Sequence, residues 1–375
     1  MNSSELEKQG DSRLTGVLFV IGELTGGGAE RVLSVMAGQF AELGVATSVG
    51  LINSRGTTAA YALNQKVALI DFSRDSARGR MGLPKSLLRL RRYVKSEKPD
   101  VIIPFMLHNA LLTLGACVGL RRPIVIRPAT VPVSRSLSSF ARRTALGLLP
   151  KAHGAFFQIP AQQAFLQKYL RHEGVLLPNP IEPNSLWDLR RSYGNKTIIS
   201  AGRLNEGKNF MLLIEAFSAL AEEFPEWKLV ICGEGPSRDG LQTEIERLRL
   251  TQRIALPGFS DDISALLHEA SVFAMSSRYE GMPNALMEAM CLGCACVTTE
   301  FDGGAARMLI NDGENGLIVP NDDVKRFTEA LRRLMQSEAL RETLGQNAAE
   351  LKTTANARQV AARWISYLQN VISSP

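Results

Sequence analysis

Short, almost wholly apolar runs that alternate with longer amphipathic stretches constrain this fold more than any other feature of the chain. Gly16–Gly22 (GVLFVIG) is the first of them, and a run apolar at every position suits a strand buried on both faces of a parallel sheet. The alternation continues with ATSVGLI at 46–52, a helical pattern near 83–96, DVIIPF at 100–105 and a helix from Asn109. It then runs through PIVI at 123–126, a helical pattern near 136–148, and GAFFQI at 154–159. Strand and helix in strict alternation predict a doubly wound α/β sheet.

The pattern breaks at Val175–Lys196, where three prolines and many polar residues exclude a regular helix. A second series then starts with TIISAGR at 197–203. It passes through KLVICG (228–233), RIALPG (253–258), VFAM (272–275), CACVTT (294–299) and GLIVP (316–320), with helical patterns between them. The expected fold class is α/β, two tandem Rossmann-like domains facing across a cleft. The expected division is a disordered tail over 1–13, a first domain over 14–178 and a linker over 179–196. A second domain follows over 197–355, and a closing helix over 356–375 packs back on the first domain. In such sheets ligands gather outside the carboxyl ends of the strands, so the loops after the strands are where chemistry is sought.

Composition removes several classes. At 375 residues and 45% hydrophobic content the chain is too long for one ordinary core and too apolar for disorder. The longest apolar stretches, such as 110–120, fall short of the roughly 18 residues that a membrane-spanning helix needs. Met1–Arg13 is polar and lacks the basic-then-apolar pattern of a secretory signal, so the cysteines are expected in a reducing cytoplasm. Cys291, Cys294 and Cys296 resemble half of a zinc site, but no second pair stands at ligand spacing, and buried packing is the expected role. No metal site is expected.

Charge is divided unevenly. Residues 1–180 carry 23 Lys and Arg against 11 Asp and Glu, whereas residues 181–375 carry 20 against 26. Much of the excess lies in 78–95 and 134–151, where leucines recur near helical spacing among arginines. Two readings stand side by side: a basic amphipathic surface that lies on an anionic membrane, and a solvated face over an ordinary core stripe. Sparse aromatics and the lack of any recognition motif exclude nucleic acid as the expected partner.

Three loops carry candidate chemistry. The first, 24–37, opens a helix with glycines that include Gly27 and Gly28 and continues into Arg31. Glycines allow close backbone approach, and a helix start offers N–H groups to a phosphate or sugar oxygen. The second, AGRLNEGKN at 201–209, places Arg203 and Lys208 five apart after Gly202, so that both cations can converge on one anion. A diphosphate leaving group needs such neutralisation as its charge develops. The third, 276–293, sets Glu280 and Glu288 eight apart around Gly281, Met282, Pro283 and Asn284 at a helix start. Glu280 can accept hydrogen bonds from sugar hydroxyls, and Glu288, among apolar neighbours, is a costly carboxylate unless it serves a ligand such as a ribose diol.

Taken together, GGAER, AGRLNEGKN, GEGP and the two glutamates resemble glycosyltransferase family 4, the group 1 glycosyltransferases of GT-B fold. The resemblance is close over 197–320 and loose over most of the rest. Within the family the chain looks most like the enzymes that add N-acetylgalactosamine to undecaprenyl-diphosphate-linked glycans. It implies a nucleotide-diphosphate sugar as co-substrate, with no other cofactor and no metal, and net retention assisted by the leaving diphosphate. It implies that Arg203 and Lys208 bind the diphosphate, Glu280 the transferred sugar and Glu288 the ribose. The stretch 257–263, Phe259 included, would meet the base largely through backbone.

The acceptor would then be a glycan or a polyprenyl-diphosphate-linked glycan, and the protein would sit peripherally on the inner face of the cytoplasmic membrane. His108, after DVIIPF, is either a first-domain histidine facing the donor sugar or an ordinary histidine at a helix start. Where relatives carry an acidic residue, this chain reads RPATVP, and Arg127 there becomes a candidate for an anionic acceptor. Two rival readings remain: a sugar-nucleotide epimerase of the same fold, whose acid/base groups are not clearly placed, and a non-catalytic sugar-nucleotide-binding subunit.

Overall fold

The computed structural model describes residues 13–25, 27–54, 62–74, 82–129, 147–183, 185–188, 191–260 and 262–373. The chain divides into two compact units, residues 1–180 with 357–375, and residues 181–356. The tail over 1–12 and most of the helical pattern near 136–148 lie outside the described residues.

The first unit runs β1 (Gly16–Ile21), α1 (Gly28–Glu42), β2 (Ala46–Leu51), β3 (Ala68–Asp71), α2 (Gly82–Glu97), β4 (Val101–Pro104), α3 (Leu107–Ala116) and β5 (Val125–Ile126). It continues with β6 (Gly154–Phe157), α4 (Pro160–Leu166) and β7 (Val175–Leu176). The strands lie parallel in the order β3-β2-β1-β4, and single parallel bridges, Ile102 to Ile124 and Phe105 to Arg127, carry the arrangement on to β5-β6-β7. Strand β1 shows why its run is apolar throughout. Val17, Phe19 and Ile21 pack with α1, while Leu18 and Val20 face Leu90 and Val94 of α2.

The second unit runs β8 (Thr197–Ala201), α5 (Phe210–Ser218), β9 (Lys228–Cys232), α6 (Arg238–Arg247), β10 (Ile254–Gly258), α7 (Ile263–Glu269), β11 (Val272–Met275) and α8 (Asn284–Cys291). There follow β12 (Ala295–Thr299), α9 (Ala305–Leu309), β13 (Leu317–Val319), α10 (Val324–Gln336), α11 (Glu338–Ala349) and α12 (Leu351–Ala355). Its sheet is parallel in the order β10-β9-β8-β11-β12-β13. The order reverses between β8 and β11, and loops leaving neighbouring strands at such a switch point diverge and open a crevice.

Much of the expected linker, 179–196, is built into this unit. The Arg191 guanidinium donates to the carbonyls of Leu292 (2.8 Å) and Leu267 (2.6 Å), and Tyr193 O accepts from Arg341 Nη2 at 2.7 Å. Only the first two residues of that segment fall to the first unit. The last helix, α13 (Ala357–Ser373), belongs to the first unit, where the Trp364 ring stacks on Phe156 at 3.9 Å.

All five cysteines are buried and free. Burial drives the Cys291 thiol up to about 12, with neighbouring Glu288 adding to the effect and Lys352 opposing it, so it stays protonated and packs as an apolar group.

One local feature ties stability of the first unit to pH. His153 Nδ1 accepts the Ile124 N–H at 3.2 Å, and its ring lies parallel to that of His172 with centroids 6.5 Å apart. Burial lowers the His153 pKa from 6.5, and the charges of His172 and Arg171 lower it further. The folded state therefore favours neutral imidazole. This contribution is complete above the unfolded value of about 6.5 and is lost as pH falls through the lower folded value. The melting temperature is expected to fall on acidification from about pH 6.5, with a shallower slope in His153→Gln; equal slopes in the two proteins would refute the assignment.

Candidate active site

The loop after β8 is shaped around one lysine. Asn205 Oδ1 accepts the Lys208 N–H at 3.1 Å and closes a single 3₁₀ turn over Glu206–Lys208, and Asn209 follows in the left-handed region at φ 49°. Any residue but glycine at 202 would put its Cβ 3.3 Å from Lys208 Cε, so Gly202 lets the lysine stem lie against the backbone. The ammonium then meets Glu280, with Lys208 Nζ 2.5 Å from Glu280 Oε1 and the two side chains only 24% and 13% exposed.

Glu280 comes from the loop after β11, and several bonds fix it there. Ser277 Oγ donates to Glu280 Oε1 at 2.7 Å, Arg278 N donates to Gly207 O at 2.8 Å, and Ser276 Oγ donates to Lys208 O at 3.0 Å. The two loops that flank the switch point are thus stitched to each other, and the ion pair sits between them. A partly desolvated charge pair interacts more strongly than one in bulk water.

Loops after β9 and β10 complete this edge. Gly233 (φ 146°) donates its N–H to Gly258 O at 2.7 Å, and a Cβ there would fall 1.9 Å from Gly202 O. At Gly235 a Cβ would fall 2.3 Å from Leu204 O. GEGP is therefore a close-packing requirement beneath the lysine loop. Phe259 projects its ring into solvent, 78% exposed, so the side chain as well as the backbone is presented there. Sequence reasoning passed over Tyr279, which is 63% exposed with its ring lying over Gly207; the available signal was an aromatic directly before Glu280.

Glu288 is 6% exposed on α8, just over one turn from the helix start, and is surrounded by buried Leu286, Met287, Ala289 and Cys291. Gly281, Met282, Pro283 and Asn284 form the approach to that helix. Its first turn carries no acidic residue and Pro283 provides no side-chain cap, so its positive end is not neutralised from within that turn. Arg203 is exposed on the lysine loop.

In the first unit the picture changes. Gly27 and Gly28 do open α1, but Glu30 Oε2 accepts the Gly27 N–H at 2.8 Å in a capping arrangement. A carboxylate thus occupies that helix start, and the Gly27 N–H is committed to Glu30 in the free protein. The apolar run after the loop hid the consequence of a glutamate at the third helical position. Arg31 is half-buried in the first turn of the same helix.

Arg127 needs a second correction. Its side chain is 1% exposed, with the guanidinium carbon 4.6 Å from the Phe105 ring centroid and 5.6 Å from that of Trp364, and Nη2 donates to Asn179 Oδ1 at 2.7 Å. Burial alone pulls its pKa down to about 9. It is a pillar of the first unit's core and is not presented to an acceptor. His108 lies at the second position of α3 and is exposed, although burial of part of the ring lowers its pKa and favours neutral imidazole. The preceding Met106 has φ 69°, a left-handed conformation that is uncommon for a non-glycine residue.

Two doubly wound parallel-sheet units in one chain are the architecture of the GT-B fold. Comparison with known proteins points the same way: the model of the family "Glycosyl transferases group 1" matches residues 183–351, which lie within the second unit. The chain is 24% identical, over 95% of its length and 98% of the relative's, to a Campylobacter jejuni protein. That relative is named GalNAc-α-(1→4)-GalNAc-α-(1→3)-diNAcBac-PP-undecaprenol α-1,4-N-acetyl-D-galactosaminyltransferase.

It is 27% identical, over 76% of its length and 80% of the relative's, to another from the same organism. This one is named N-acetylgalactosamine-N,N'-diacetylbacillosaminyl-diphospho-undecaprenol 4-α-N-acetylgalactosaminyltransferase. Among solved structures it resembles Anabaena HepE in complex with UDP, with a TM-score of 0.78 at 19% identity, covering 95% of this chain and all of that one. At that identity the likeness shows the fold.

Proposed function

We propose that the chain transfers a hexose or N-acetylhexosamine from a UDP-sugar to a polyprenyl-diphosphate-linked glycan, with retention and without a metal ion. The observation that carries this reading is the Lys208–Glu280 pair held at the switch point of the second unit. When a nucleotide-diphosphate sugar binds, the Lys208 ammonium passes from Glu280 to the diphosphate and, with Arg203, neutralises the charge that grows as the glycosidic bond breaks. Glu280, released from the ammonium and oriented by Ser277, accepts hydrogen bonds from hydroxyls of the departing sugar. The α8 start supports the diphosphate, and Glu288 takes the ribose.

The names of the two Campylobacter relatives support a lipid-linked acceptor. A surface of the first unit supports membrane contact: Lys85, Leu88, Arg92 and Lys95 are exposed along one face of α2. No described helix is long and apolar enough to cross a membrane.

The test is a panel of UDP-, GDP- and ADP-sugars in EDTA, read by thermal shift and by slow donor hydrolysis. One UDP-sugar is expected to stabilise the protein by about 2.7 kcal/mol at a hundredfold excess over its Kd and to be hydrolysed. Stabilisation without turnover onto any lipid-linked acceptor points to the binding-subunit reading, and an absolute need for a divalent cation overturns the metal-free scheme.

A further inference from the structure

The geometry points to Asp322 as a positioning residue that sets the Lys208–Glu280 pair by holding both of its loops from one carboxylate oxygen. This inference rests on the donor-site reading given above. Asp322 follows β13, a strand that contributes no residue to the pair. Its Oδ1 accepts from Asn209 Nδ2 at 2.9 Å and from Arg278 Nε at 2.8 Å. Asn209 is the residue after Lys208, and Arg278 stands two before Glu280. One oxygen therefore ties the lysine loop to the glutamate loop.

Further bonds turn this contact into a latch. Arg278 Nη1 donates to Glu206 O at 3.1 Å, and Asn321 Nδ2 donates to Arg278 O at 2.8 Å. The backbone is also committed. Five non-glycine residues with positive φ occur among the described residues, and two of them, Asn209 at 49° and Asp322 at 55°, are bonded to each other here. Such conformations persist where the surroundings hold them and concentrate at functional sites.

The adjacent Asp323 shows what an ordinary helical aspartate does at this turn: its Oδ1 accepts the Arg326 N–H at 3.0 Å and caps α10. Asp322 takes no part in that cap. Its partner Arg278 is 42% exposed and Asp322 itself 55%, and exposed pairs contribute little to stability. The value of the latch lies in geometry, because a reacting group displaced by a fraction of an ångström loses rate even where the fold is intact.

The test uses the full chain with Asp322→Gly, which adopts φ 55° without strain, Asp322→Asn, which keeps an accepting oxygen, and Arg278→Met, which removes the other end. Donor turnover is measured alongside the rate at which acetic anhydride modifies Lys208, followed by mass spectrometry. Asp322→Gly and Arg278→Met are expected to lower kcat about tenfold with little change in donor KM, and to acetylate Lys208 several-fold faster. Melting temperatures should stay within about 2 °C of the parent, and Asp322→Asn should recover most of both readouts. Parental labelling and kcat in Asp322→Gly overturn the proposal, as does a collapse of melting temperature that accounts for the lost rate. If the parent turns over no nucleotide sugar, the donor reading fails, and the Lys208 labelling rates still judge the latch on their own.

Discussion

Lys208→Ala is expected to cut turnover of the nucleotide-sugar donor by about 10²–10³-fold, the usual loss when one preorganised group facing developing charge is removed. The fall belongs mainly in kcat. In the free protein the ammonium is satisfied by Glu280, so transfer to the diphosphate gains most when leaving-group charge is greatest, and groups that act on growing charge appear in the transition state more than in the bound ground state. The variant also strands Glu280 with Ser277 as its remaining hydrogen-bond donor from the pair's own loops, and a modest loss of stability follows from a carboxylate that is only 13% exposed. Lys208→Arg should restore little. The lysine stem lies so close to Gly202 that even a Cβ there would fall 3.3 Å from Lys208 Cε, and the planar guanidinium approaches an anion along a different path. Steady-state kinetics of both variants with the donor found in the panel provide the check, and a kcat within a few-fold of the parent for Lys208→Ala would remove the lysine from the chemistry.

The central strands were legible because their physics is local. A parallel strand buried on both faces must be apolar at each position, so β1, β4 and β11 announce themselves, as do the loops that follow them. The lysine and glutamate loops were legible for the same reason, since each directly follows such a strand. Edge elements were less so: β3, with half of its residues exposed, and the five-residue α9 show no sustained period.

The site residues that escaped notice depend on contacts between distant parts of the chain. Asp322 meets Asn209 across 113 positions and Arg278 across 44, and no periodicity records such a meeting. The Gly27 N–H is capped for a local reason that sequence does contain, a glutamate three residues on that closes the helix start upon itself. Arg127 failed for a nonlocal one. It directly follows β5, where a solvent-facing cation is the ordinary expectation, but the last helix of the chain returns to roof it with Trp364.

That roof supports the second large effect. Trp364→Ala is expected to destabilise the first unit by about 3–5 kcal/mol, the range for deleting a large buried aromatic. The indole is 1% exposed, stacks on Phe156, and also contacts the rings of Phe40 and Phe105. The cost rises further because the Arg127 guanidinium lies over the same ring and loses that face. Because the contacts of Trp364 all lie within the first unit, calorimetry should show a transition that moves to lower temperature while the melting of residues 181–356 stays near its parental value. An unshifted profile would mean that α13 is not part of that core.

Arg127→Met is the informative companion. Replacing a buried cation that has no charge partner among the described residues with an apolar side chain of similar length costs little or even stabilises. A structural arginine therefore predicts a protein that melts near the parental temperature and still transfers sugar. An arginine that held an acceptor anion would instead raise the acceptor KM. Acceptor kinetics of Arg127→Met therefore separate a core residue from a binding residue, since only a binding residue raises the acceptor KM when it is replaced.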